Sequence, residues 1–187
     1  MSRARLEAFS DGVIAIAITL LVLDLRVPLR SELGDESLVR ALRHEWPSFA
    51  AFTVSFAVIG IMWVNHHALL GRFTEVDRGL VMSNLFLLAA IATLPFTTAL
   101  FAEYVRDPGT NGHVAAAIYS MTMVLASIGF TLLARRLVHG RDLLRFNVGL
   151  FIYGGTVLLA FISAPATLVV HGGLAIYYAF DQLSSPS

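Results

Sequence analysis

Residues 6–25 read LEAFSDGVIAIAITLLVLDL, and this stretch decides the class of the protein. Beyond Ser10 and Asp11 it is apolar almost without a break to Leu23, and Arg26 and Pro28 close it. A bilayer core takes roughly 20 apolar residues per helix, so its length and texture are those of a membrane span. Arg3 and Arg5 ahead of it imitate a secretory leader, but Ser10 and Asp11 interrupt the apolar run and no clear small-residue cleavage site follows. The stretch is read as the first helix of the mature protein.

Similar runs recur along the chain. The second covers about residues 46–67 and opens with Trp46 and Pro47, where proline suits a first helical turn. The third covers about 80–101, with Pro95 expected to kink it, and the fourth about 114–133. Two shorter runs lie at about 148–163 and 166–180, joined so tightly at Ser163, Ala164 and Pro165 that five spans stand as the alternative to six. Between the first two spans, Leu33, Leu38, Val39 and Leu42 have loosely helical spacing in a polar stretch, which reads as a short interfacial helix over about 33–44. The tail from Leu183 to Ser187 is expected to be loose, and no strong internal repeat or second domain is evident. The chain reads as an all-α integral membrane protein, one six-span domain over residues 1–187.

Composition agrees. Of 187 residues, 57% are hydrophobic and 14% charged, and the mean hydropathy is +0.74. Soluble domains carry about 25% charged residues, so a soluble enzyme with one ordinary core is excluded, as is a disordered chain. Thirteen arginines balance thirteen acidic residues, which leaves no basic field for nucleic acid. Without cysteine there are no disulfides and no thiolate chemistry. Arginine placement sets the orientation: Arg3, Arg5, Arg72, Arg78, Arg135, Arg136, Arg141 and Arg145 fall on the side of the N-terminus, and Arg26, Arg30, Arg40, Arg43 and Arg106 on the other. The excess places both termini in the cytoplasm.

Polar groups inside spans are costly and mark where to look for function. Asp11, flanked by Ser10 and Gly12, is the most conspicuous. It is either a clamp, held by donors on neighbouring helices, or a carboxylate that carries ions or protons; its place near the membrane edge favours the clamp. Trp63 and His67, four residues apart on one helix face, reach the same level, and Asn84 enters the third span from that side. An indole N–H, an imidazole N–H and an amide could satisfy the carboxylate. His66 and His67 point about 100° apart on a helix of 3.6 residues per turn and lack an HxxxH or HxxE spacing, so no metal or cofactor site is expected. No GxSxG, phosphate loop or HExxH is present, which argues against an enzyme. Farther along the first span, Ile16, Leu20 and Leu23 share one face with Thr19 beside it. Spacing alone favours contact with lipid or core for that face.

The string Arg5-x-x-x-Phe9-Ser10-Asp11-Gly12, running into Ala15-Ile16-Ala17-Ile18-Thr19, resembles the opening signature of the transmembrane-protein-175 family of potassium channels. The likeness extends to Trp63-x-x-His66-His67, Ser83-Asn84-Leu85 and Leu94-Pro95-Phe96. It covers the first hundred residues well and the remainder mainly by hydropathy. The resemblance implies a homotetramer of six-span subunits in the cell membrane, its first helices lining a central path for potassium ions. It implies Ile16 as the pore constriction, Leu20 and Leu23 as the apolar layers that follow, and Thr19 as the residue of potassium preference. Arg5, Phe9, Ser10, Asp11, Trp63, His67 and Asn84 would be the packing motif. Animal members carry two such repeats per chain and this chain has one, so four copies are required. No TVGYG filter is present, and a ring of isoleucines would gate by dewetting instead. The competing reading is a proton-coupled secondary transporter with an Asp11–His67 relay.

Overall fold

The computed structural model describes residues 2–29, 31, 37–107, 109–137 and 141–184, and over 141–147 and 178–184 the helical backbone. All regular structure among these residues is helical. The first helix, α1 (Arg3–Leu20), tightens into a 3₁₀ turn over Leu21–Asp24 and ends where Leu25 becomes extended, close to the boundary expected from Arg26 and Pro28. Then come α2 (Leu38–His44), α3 (Trp46–Leu70), α4 (Arg78–Tyr104), α5 (Thr110–Ala134), α6 (Arg141–Ala160) and α7 (Ala164–Ser184).

By length and composition, four stretches can cross a bilayer: α1 with its 3₁₀ turn, α3, α4 and α5. In α6 and α7 the apolar parts are shorter, Val148–Ala160 and Ala164–Tyr177. Three boundaries differ from the sequence reading. The interfacial helix begins at Leu38 in place of residue 33, and residues 33–36 lie outside the described residues. Helix α6 begins at Arg141, so Arg141 and Arg145 belong to its first turns and not to a loop. The tail starts inside α7, which runs to Ser184, and 185–187 lie outside the described residues. In the last two cases hydropathy marks the apolar core of a helix, whereas polar turns that extend it are invisible to that signal. Pro47 sits in the first turn of α3, and Pro95 is buried within α4, which continues to Tyr104.

Helix α4 is the centre of the bundle, with α1, α3 and α5 packed around it, while α6 packs on α5, and α7 lies against α3, α5 and α6. The α4–α5 seam is close because α5 turns small residues towards it. A Cβ on Gly129 would stand 2.8 Å from Leu87 Cβ. Apolar helices in lipid gain little from hydrophobic burial against each other, so close backbone approach and interhelical hydrogen bonds must hold them. One such bond set crosses the middle of the bundle: Thr98 donates to Ser55 Oγ at 2.8 Å, and Ser55 and the Tyr119 hydroxyl lie 3.0 Å apart, joining α4, α3 and α5. Loop contacts sort the helix ends. Arg3 reaches the Gly71 and Phe73 carbonyls, and Arg136 pairs with Asp77, at one end. Arg26 pairs with Glu103 at 2.9 Å, and His113 Nδ1 donates to the Ala160 carbonyl at 2.6 Å, at the other.

Candidate functional site

The N-terminal half of α1 is anchored by a chain of buried polar groups. His66 Nε2 lies 2.7 Å from Asn84 Oδ1, an acceptor only, so the imidazole donates. Asn84 Nδ2 donates to Ser10 Oγ at 2.9 Å, and Ser10 Oγ donates to the Leu6 carbonyl at 2.8 Å. All three side chains are buried, and each of these donors meets an acceptor. The chain ties α3 to α4 and α4 to α1. At its edge, Trp63 Nε1 donates to Asp11 Oδ1 at 2.9 Å, a second link from α3 to α1.

The structure thus divides the group that the sequence places around Asp11. Trp63 bonds Asp11, but Asn84 bonds Ser10, and the buried imidazole is His66. His67 is exposed, with its ring 6.3 Å from that of Trp63, and makes no hydrogen bond to Asp11. The physical reason is helix rotation: on α3, Ser55, Ile59, Met62, His66 and Leu69 form the buried row, and His67 falls one residue off it. The intramembrane Ser55 is the signal that would have aimed this face, because His66 lies eleven residues, about three turns, beyond it. Arg5 is exposed and without a partner among the described residues, whereas Arg3, which the sequence marks only for orientation and not for the packing motif, holds Glu7 at 3.3 Å and the loop after α3.

Helix α1 therefore has two distinct sides. Leu6, Ser10, Ile14, Ala17 and Leu21 are buried against α3 and α4, with Ile18 partly buried beside them. On the other side Ile16 is 61% exposed, Leu20 42% and Leu23 74% in the single chain. Phe9, Gly12 and Thr19 are exposed as well. Thr19 Oγ1 donates back to its own helix, with Ala15 and Ile16 carbonyls both at 2.9 Å, so its proton is held and its lone pairs face outward. This side is a continuous apolar strip carrying one hydroxyl, long enough to run most of the length of a bilayer core.

Outside the spans, one carboxylate steadies the bundle. Asp77 caps α4, accepting from Leu80 N at 2.6 Å, and also accepts from Arg136 Nη1 at 2.7 Å. The Leu80 amide first, then the Arg136 guanidinium, hold the Asp77 carboxyl below the usual carboxylate range. That pairing joins the loop before α4 to the loop after α5.

Several apolar helices, tied by buried polar links and leaving one side of α1 exposed, define an integral membrane protein. The family model described as "Endosomal/lysosomal potassium channel TMEM175" matches residues 5–95. A potassium channel of Streptomyces collinus is 47% identical over 98% of this chain and 94% of its own. The crystal structure of a lysosomal potassium-selective channel TMEM175 homolog from Chamaesiphon minutus superposes with TM-score 0.89 at 38% identity, covering 96% of this chain and 97% of that one. The endosomal/lysosomal proton channel TMEM175 of Gallus gallus is 33% identical over 77% of this chain and 30% of its own length. The chain belongs to the TMEM175 family, a family of ion channels and not of enzymes.

Proposed function

We propose that this chain is one six-span subunit of a homotetrameric, potassium-permeable channel of the cell membrane, with α1 from each copy lining a central path and both termini in the cytoplasm. The observation that carries the reading is the two-sidedness of α1: Ile16, Leu20 and Leu23 stand exposed on a helix whose opposite side is locked by Ser10, Ile14 and Ala17. A subunit of this size has too few helices to surround a water-filled path and also shield it from lipid, so the path belongs on a symmetry axis. Four copies of the strip facing that axis would leave Ile16 as an apolar ring, Leu20 and Leu23 as further layers, and Thr19 as the hydroxyl ring between them. Ions shed water at such a ring without gaining ligands, so it closes by dewetting and opens by widening. Potassium preference then comes from Thr19 and from the lower dehydration cost of the larger ion, and is weaker than a carbonyl filter provides. Ser10, Asp11, Trp63 and Asn84 hold α1 at the angle this requires and carry no ions themselves; Arg5 and His67 flank them at the membrane edge, and Phe9, exposed on the strip side, packs only where another copy meets it.

The absence of cysteine makes the test clean. In planar bilayers under a potassium gradient, purified protein should show unitary currents that reverse towards the potassium equilibrium potential. A cationic methanethiosulfonate reagent should block Ile16→Cys and Leu23→Cys channels and leave Ile18→Cys channels unchanged. Transport that saturates at low turnover and needs a proton gradient would replace this reading with the proton-coupled transporter.

A further inference from the structure

At the end of the bundle where α3 begins, a cavity of about 370 Å³ lies between the α4–α5 loop and the α6–α7 turn. Arg106, Asp107, His113, Trp46 and Ile162 are among its lining residues, and no α1 residue is, so it stands apart from the pore assignment. The Arg106 guanidinium rests over the Trp46 ring at 5.3 Å and pairs with no carboxylate among the described residues. Asp107 is not its partner. Its two oxygens accept from Gly109 N at 2.8 Å and Asn111 Nδ2 at 3.1 Å, each keeping lone-pair capacity. His113 donates through Nδ1 to the Ala160 carbonyl, which leaves Nε2 of the neutral ring as an acceptor.

The cavity therefore offers one unpaired, planar donor group and two acceptors, of which one is charged. We propose that it binds the headgroup of an aminophospholipid, the phosphate on Arg106 and the primary ammonium between Asp107 and His113. Guanidinium and phosphate match as a bidentate pair. An ammonium has three donors and no acceptor, which suits Asp107 and His113 Nε2. A quaternary choline would instead need an open aromatic face, and Arg106 already covers Trp46. A plain anionic headgroup would leave Asp107 facing negative charge. The volume suits a headgroup and not a whole lipid. Phe161 and Ile162, exposed apolar residues at the adjoining turn, lie where acyl chains would run, and Trp46 is of the type that lines the membrane–water boundary.

The test is native mass spectrometry of the intact protein released from nanodiscs containing equal phosphatidylethanolamine, phosphatidylglycerol and phosphatidylcholine. Phosphatidylethanolamine should be retained at least tenfold over the other two. Arg106→Gln, on an exposed side chain, should remove that retention. Asp107→Asn, which keeps an oxygen for the Gly109 amide, should bring phosphatidylethanolamine down to the level of phosphatidylcholine. Equal retention of phosphatidylglycerol, or retention unchanged in Arg106→Gln, overturns the proposal. Soluble glycerophosphoethanolamine should compete only at concentrations far above the lipid's; if it competes equally, the site takes a small solute and the lipid assignment fails.

Discussion

Replacing Asn84 by Leu removes the middle of the buried chain at nearly constant volume, and the consequences can be followed atom by atom. Ser10 Oγ still donates to the Leu6 carbonyl and stays satisfied, but His66 Nε2–H loses its acceptor. An orphaned buried donor costs about 1–3 kcal/mol. Interhelical hydrogen bonds measured inside membranes average only about 0.6 kcal/mol and reach about 1.7, because the unfolded chain in a membrane finds partners too. The expected loss is therefore about 1–2 kcal/mol. His66→Phe alone leaves Asn84 Oδ1 without its donor and should cost a similar amount. The double substitution replaces both partners with apolar groups and orphans neither. It should be more stable than the sum of the single losses predicts, by about 1 kcal/mol or more. Reversible unfolding in mixed detergent micelles, with the four proteins compared as a double-mutant cycle, gives the coupling directly. Additivity within about 0.5 kcal/mol would mean that His66 and Asn84 do not act on each other, and the anchoring of α1 would need another explanation. The same cycle with His67 in place of His66 should be additive.

Ile16→Asn should raise basal current in bilayers, since hydrogen-bonding groups keep the proposed ring wet, while Ile18→Asn, partly buried against the core, should impair folding without opening the pore; the opposite pattern would put the wrong side of α1 on the axis. Thr19→Val should leave the fold intact and lower the potassium-to-sodium permeability ratio, read from the bi-ionic reversal potential, because it removes the hydroxyl from the exposed strip. Gly129→Val should destabilise the subunit by about 1–3 kcal/mol, since Leu87 leaves no room for a side chain, and thermal unfolding in detergent would register it. The depressed carboxyl of Asp77 gives a pH dependence of definite sign. Its contribution is fully present above the ordinary aspartate value and fades as pH falls through the lower folded value, so melting temperature should drop below about pH 4 by less in Asp77→Asn than in the parent.

The positions of the helices were legible in the sequence because a bilayer requires every backbone group to be satisfied within its own segment, so a long apolar run has no other structure open to it. Hence Leu6 to Leu25, Trp46 onward and the run through Pro95 appear in the structure as helices at nearly the expected limits. The side of α1 that carries Ile16, Leu20 and Leu23 was legible as a row, and Asp11 as a residue held by Trp63. The direction each helix faces was not legible. A soluble helix announces its inner face by alternating apolar and polar sides, but these spans are apolar all round, and lipid rewards each side alike. Only packing could choose between His66 and His67, neighbours on one helix turned about 100° apart, and it chose the one in line with Ser55 and Met62. Only packing, too, could give Asn84 to Ser10 in place of Asp11, because α1 and α4 approach along the row of Leu6, Ser10 and Ile14, with the carboxylate left at the edge for an indole from α3.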